Sequence, residues 1–182
     1  MYNATLQKGK TMSKKLFLGI ALDKSQIQMI GRLQENFDPG VRLIPAANLH
    51  MTIAFFGLVS AQQQAELETQ LSAIAKRRFS VTLDTLAYWH KPRILCIKGQ
   101  ADDKALLQIV SKSQALAASL GLYESEHSFT AHITVARKAK NMPASELNFN
   151  PLRITPSVIH LFESKNSSQG VEYPILRSWA LQ

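Results

Sequence analysis

Two histidines in the chain are each followed, two positions on, by a threonine inside an apolar alternating run. These are His50-Met51-Thr52-Ile53-Ala54-Phe55-Phe56-Gly57 and His132-Ile133-Thr134-Val135-Ala136. In a strand, alternate side chains point to opposite faces. Met51, Ile53 and Phe55 then make one apolar face, as do Ile133 and Val135, while each histidine and its threonine share the other. Near neutral pH one imidazole can accept a proton and another, already protonated, can deliver one. The two hydroxyls can donate hydrogen bonds to anionic oxygens held between the rings. In-line displacement at phosphorus needs such a set: a proton taken from the attacking oxygen, a proton given to the leaving oxygen on the opposite side, and donors for the non-bridging oxygens. A single His-x-Thr strand carries no such message, because a surface histidine on an edge strand gives the same pattern. Two copies at matching places in a repeat do.

That repeat sets the elements that must position the four residues. Phe17–Lys24 (FLGIALDK) aligns with Ile97–Lys104 (IKGQADDK), and His132 follows His50 by 82 residues. Each half therefore predicts a strand, a helix and a strand bearing His-x-Thr. Lys15–Leu22 is the first strand, and Asp23 caps a helix whose Ile27, Ile30, Leu33 and Phe37 recur at helical spacing. Asp38-Pro39-Gly40 ends that helix, and Val41–Ile44 is a short strand. Ser60 caps a second helix running to about Lys76 with Leu67, Leu71 and Ile74 inward. Phe79–Trp89 and Arg93–Gly99 predict a hairpin around Lys91-Pro92. Asp102-Asp103 opens a third helix that Gly121 closes. Leu152–Thr155, Ser157–Glu163 and Glu172–Leu181 are further strands, the last two paired. The expected fold class is α+β and bilobal: two pseudo-twofold lobes, each a mostly antiparallel sheet with helices on its outer face, and a cleft between them. Residues 15–182 are expected to form this single domain, with residues 1–14 as a flexible lead-in.

The composition agrees with a globular chain, at 46% hydrophobic and 19% charged. No apolar run approaches the roughly 18 residues that cross a bilayer, so no membrane partner is expected. Cys96 is the only cysteine, which excludes an intrachain disulfide, and Ile94-Leu95-Cys96-Ile97 predicts a buried inert thiol. A reduced, cytoplasmic setting follows. The net charge of +8 points to an anionic partner such as nucleic acid, or to no more than a solvated basic surface. No Cys/His cluster has zinc spacing and no Gly-rich phosphate loop occurs, so neither metal nor cofactor is expected.

Asn48-Leu-His-Met-Thr-Ile-Ala-Phe-Phe-Gly57 and Ala131-His-Ile-Thr-Val-Ala-Arg137 resemble the two signature motifs of the 2H phosphoesterase superfamily. Within it they are most similar to the RNA 2′,3′-cyclic phosphodiesterases, also called 2′-5′ RNA ligases. The resemblance runs from Lys15 to the ending Tyr173-Pro-Ile-Leu-Arg-Ser-Trp-Ala-Leu181 and departs at Ala131, where proline is frequent in the family. It implies hydrolysis of a terminal 2′,3′-cyclic phosphate of RNA to a 2′-phosphate; separately, a monomer is expected, because nothing in the sequence reads as a large exposed interface helix. His50 would donate a proton to the leaving 3′ oxygen, His132 would accept one from water, and Thr52 and Thr134 would hold the phosphate. Arg137 matches the family pattern too, but strict alternation sets it opposite His132 unless the strand ends or bulges. Phe56 shares the parity of His50 and is expected to flank a base, with Phe55 in the core. Tyr88, Trp89 and Phe129 are weaker stacking candidates, and His90, His127 and His160 lack a partnering threonine and a repeat mate and are expected to be structural or on the surface. Two alternatives stand beside hydrolysis: RNA joining through a 2′-5′ linkage by the same histidines, and a non-catalytic RNA-binding module.

Overall fold

The computed structural model describes residues 13–143, 149–168 and 170–182. Residues 1–12 of the expected lead-in lie outside the described residues, and Lys14 already belongs to the first strand, where its ammonium pairs with Glu163 at 3.3 Å. In chain order the elements are β1 (Lys14–Ala21), α1 (Lys24–Gln34), β2 (Arg42–Leu43), a short 3-10 turn (Ala46–Asn48), β3 (His50–Val59), α2 (Ala61–Ala73), β4 (Val81–Leu83), β5 (Thr85–Trp89), β6 (Ile94–Gly99), α3 (Lys104–Ser119), β7 (Ala131–Arg137), β8 (Leu152–Ile154), β9 (Val158–Glu163), β10 (Lys165–Ser167), β11 (Gly170–Glu172) and β12 (Ile175–Ala180).

The helix starts follow from their caps. Asp23 with Gln26, and Ser60 with Gln63, form reciprocal capping boxes, and the Asp103 carboxylate accepts from the backbone N–H groups of Ala105 and Leu106. Gly121 takes φ +62° just past α3, the left-handed stop that glycine makes cheap. Helix α2 ends at Ala73, earlier than Lys76, because the Lys76 ammonium folds back onto the open carbonyls of Leu71, Ser72 and Ile74.

The main sheet runs in the order β12-β9-β1-β3-β7-β6-β5, with β2 on β7, and every pairing is antiparallel. The order puts the two His-x-Thr strands side by side at the centre, joined by the single pair Met51↔Ile133. The predicted hairpins β5–β6 and β9–β12 are both present, the second with the small β10–β11 hairpin inserted in its connection. The run Phe79–Trp89 is not one strand. It breaks at Asp84, whose N–H donates to Lys98, and β4 pairs with β8 instead. Helix α1 packs toward β7 and α3 toward β3, so the helix of each half covers the His-x-Thr strand of the other. Ile30 and Leu33 of α1, Leu106, Ile109 and Val110 of α3, and Met51, Ile53, Ile133 and Val135 of the strands share one buried cluster. That cluster fixes the face opposite the histidines.

Both His-x-Thr strands carry a β-bulge three residues after the histidine. Along β1 the partners step from Ala54 to Thr52, leaving Ile53 unpaired, and along β6 they step from Ala136 to Thr134, leaving Val135 unpaired. An extra residue reverses the alternation beyond it. In β3 a second irregularity leaves Phe56 unpaired as well.

Candidate active site

The Met51↔Ile133 register sets His50 opposite Thr134 and Thr52 opposite His132. Histidine and threonine alternate at the corners of a square, with the imidazoles on its diagonal, a placement that puts the two residues on the order of 7–8 Å apart and their Cβ atoms somewhat closer. Each ring is held the same way. His50 Nδ1 lies 2.7 Å from the Asn48 carbonyl and His132 Nδ1 lies 2.8 Å from the Thr130 carbonyl. A carbonyl only accepts, so each Nδ1 carries the hydrogen, and each Nε2 is left to take or give a proton. Asn48 and Thr130 are themselves 82 residues apart, so the orienting contact repeats with the motif.

The surroundings of the two rings differ. His50 sits among aromatic rings, with centroids 4.8 Å from both Phe17 and Tyr173, whereas His132 lies 4.5 Å from Trp89. Burial lowers both imidazole pKa values below the ordinary histidine range, and the carbonyl bonds only partly oppose this. His132 and Arg137 push His50 down further by like charge.

Arg137 therefore acts electrostatically on His50. The bulge at Val135 meets the condition that alternation imposed: Ala136 is buried and Arg137 exposed, turned to the face of His132. The same device overturns the expectation for Phe56. Beyond the bulge at Ile53 the phase of β3 reverses, so Phe56 is 0% exposed in the core and cannot flank a base. Phe55, expected in the core, is 39% exposed and meets Tyr123 edge-on at 5.3 Å.

Thr52 and His132 open onto a cleft of about 1150 Å³, walled by Phe55, Trp89, Tyr123 and Phe129. His90 and His127 stand on its rim. His160 is turned to Ser178, 2.8 Å from its hydroxyl, and Tyr88 donates to the Ala139 carbonyl at 3.2 Å. Burial pushes the Cys96 thiol up to about 11, as an inert core thiol requires. Asn48, Thr130, Phe17, Tyr173 and Tyr123 were not predicted as site residues. Asn48 and Thr130 were findable, because they stand at equal distances before the two histidines. Tyr173 had no such signal: it reaches His50 only through the pairing of distant strands.

The LigT like phosphoesterase pattern matches residues 20–96. The chain is 28% identical over 173 residues to the RNA 2′,3′-cyclic phosphodiesterase of Escherichia coli K12, covering 92% of this chain and 97% of that one. It is 24% identical over 139 residues to the enzyme of the same description from Archaeoglobus fulgidus, covering 73% and 78%. Among solved structures, E. coli LigT complexed with 3′-AMP superposes with a TM-score of 0.82 at 27% identity, covering 93% of this chain and 99% of that one. A second crystal structure, described as a phosphoesterase, gives the same TM-score of 0.82 at 26% identity, again covering 93% and 99%. With twinned His-x-Thr strands at its centre and the E. coli relative matching nearly its full length, the chain is similar in sequence and in fold to the LigT like phosphoesterases.

Proposed function

We propose that the chain hydrolyses the terminal 2′,3′-cyclic phosphodiester of RNA to a 2′-phosphomonoester, with His50 and His132 as its proton-transfer pair and no metal in the chemistry. The reading is supported by the name shared by its curated relatives and by the binding of 3′-AMP to the E. coli protein. The observation that carries the mechanism is the pair of Nδ1–carbonyl bonds, which leaves both Nε2 atoms free. His132 Nε2 takes a proton from water as its oxygen bonds to phosphorus. The P–O3′ bond breaks, and His50, protonated, gives its proton to that oxygen. Thr52 and Thr134 donate hydrogen bonds to the non-bridging oxygens, where charge builds up.

A bound phosphate answers the low pKa of both rings. Its negative charge between them favours the imidazolium form and lets His50 hold the proton it must deliver. Two lobes closing on one phosphate and a monomeric enzyme complete the proposal. Phosphorus NMR of the product from a 2′,3′-cyclic nucleotide, run with a chelator present, tests it. A lone 2′-monoester resonance is expected. A 3′-monoester product, or turnover abolished by the chelator and restored by a divalent cation, would count against it.

End joining to a 5′-hydroxyl uses the same two proton transfers with RNA in place of water. The aromatic-walled cleft beyond His132, on the side where the attacking oxygen enters, gives a second nucleoside room. Water is the solvent and outnumbers any 5′-hydroxyl, so by mass action the hydrolytic path should dominate.

A further inference from the structure

We propose that Arg42 binds a second phosphate of the substrate, the one on the 5′ side of the terminal nucleoside, so that the site prefers an RNA chain to a mononucleotide. The inference rests on the phosphodiesterase reading above. Arg42 and Arg137 are direct partners across β2 and β7. Residues so placed share a face, and like charges so placed repel. The ion pairs among the described residues are Lys14–Glu163 and Arg177–Glu68, so neither of these arginines is neutralised by a carboxylate there.

The backbone beneath the pair is nonetheless tied down. The Ile44 N–H donates to the Val135 carbonyl at 3.0 Å, and the Gln34 side-chain amide donates to the carbonyls of Ile44 and Val135 at 2.9 and 2.8 Å. Two guanidinium groups that meet no carboxylate among the described residues, on a fixed ladder, are suited to an anion that arrives with the ligand, and the planar fork matches phosphate oxygens.

The surroundings place this pair on the His50 side of the site. The Arg42 guanidinium borders the β10–β11 hairpin, where a Cβ on Gly170 would stand 3.6 Å from its Nη2. The same hairpin accepts at Val171 from the Asn48 side chain at 2.7 Å, and the Asn48 carbonyl orients His50. Arg137 adds its charge to His50 directly. The pseudo-equivalent of Arg137 in the other half is Phe55, with Tyr123 against it. The two arginines thus lie on the His50 side of the site, and the cleft walled by Phe55, Trp89, Tyr123 and Phe129 lies on the His132 side. The leaving 3′ oxygen is on the His50 side, so its nucleoside and the chain leading to it run toward Arg42 and Arg137. A mononucleotide has a single phosphate, which the histidines and threonines occupy. Only a longer chain brings a second anion to Arg42.

The test compares a mononucleoside 2′,3′-cyclic phosphate with a dinucleotide ending in the same group, using wild type and Arg42→Gln. The ratio of the two kcat/KM values should fall about 10-fold or more in Arg42→Gln, the scale of a lost charge-assisted hydrogen bond. Replacing the internal linkage by a neutral methylphosphonate should cost wild type a similar factor. A ratio unchanged by Arg42→Gln, or a methylphosphonate handled as well as the phosphate, overturns the proposal. Calorimetric affinities for a dinucleotide 3′-phosphate and for a nucleoside 3′-phosphate give the same ratio without turnover. If wild type hydrolyses neither substrate but Arg42→Gln still lowers that affinity ratio, the hydrolase reading falls while the phosphate subsite stands.

Discussion

Each histidine of the site needs two things that its own side chain does not provide: a fixed tautomer and a pKa near the working pH. A main-chain carbonyl two residues earlier supplies the first, at 2.7 Å for His50 and 2.8 Å for His132. Burial lowers the second for both rings, and like charge from His132 and Arg137 lowers it further for His50. With one ring protonated and the other neutral, the pH dependence of kcat/KM is bell-shaped and its limbs belong to the pair. Since both pKa values lie below the usual value of about 6.5, the maximum should fall on the acid side of that pH. Arg137→Gln removes a positive charge felt by His50 and should move a limb toward higher pH, which a kcat/KM profile of the variant against wild type would detect. An unmoved profile would mean that Arg137 acts only on the substrate. Trp89→Ala strips the ring from His132 and admits water around it, so it should raise the His132 pKa, visible by proton NMR titration of the imidazole.

At the scale of elements, the bulges decide which residues reach the site. His50, Thr52, His132 and Thr134 were legible in the sequence because they precede the irregularity in each strand, where alternation still holds. Phe55 and Phe56 lie beyond it, so parity counted from His50 assigned their faces the wrong way round. Four apolar residues in succession, Ile53 to Phe56, are the local trace of this: an unbroken apolar run fits no two-residue period. The caps at Asp23, Ser60 and Asp103 were legible for the opposite reason, being local hydrogen bonds within three residues. The split of Phe79–Trp89 was not, because β4 turns away to a strand some 70 residues on, as Leu83↔Leu152 shows. Close strand contact also gives a stability prediction. A Cβ on Gly19 would lie 2.7 Å from the Met51 carbonyl oxygen, in the strand that carries His50. Gly19→Ala should cost about 1–3 kcal/mol in urea unfolding, with a loss of activity as β3 shifts; an unchanged midpoint would show that the strands can part freely there.

For the molecule as a whole, one sheet joins two halves that each supply a histidine, a threonine and an orienting carbonyl, and the halves meet at the single pair Met51↔Ile133. Burying imidazoles at that junction links folding to pH. His50, His132 and His160 all have lowered pKa values in the folded protein, so between those values and about 6.5 the unfolded chain binds more protons. Stability should be fully present above about pH 6.5 and lost as pH falls through the folded values. Thermal melts across that range should show it, and a melting temperature that rises on acidification would contradict the burial of these rings. The central claim is that two imidazoles, one from each half, carry the proton transfers. It is tested most directly by the turnover of a 2′,3′-cyclic nucleotide by wild type, His50→Ala and His132→Ala at matched pH. Each variant should lose about 10²- to 10⁴-fold in kcat, the usual worth of a positioned acid or base, with binding of the 2′-phosphate product still measurable. Either variant turning over at the wild-type rate would contradict the account.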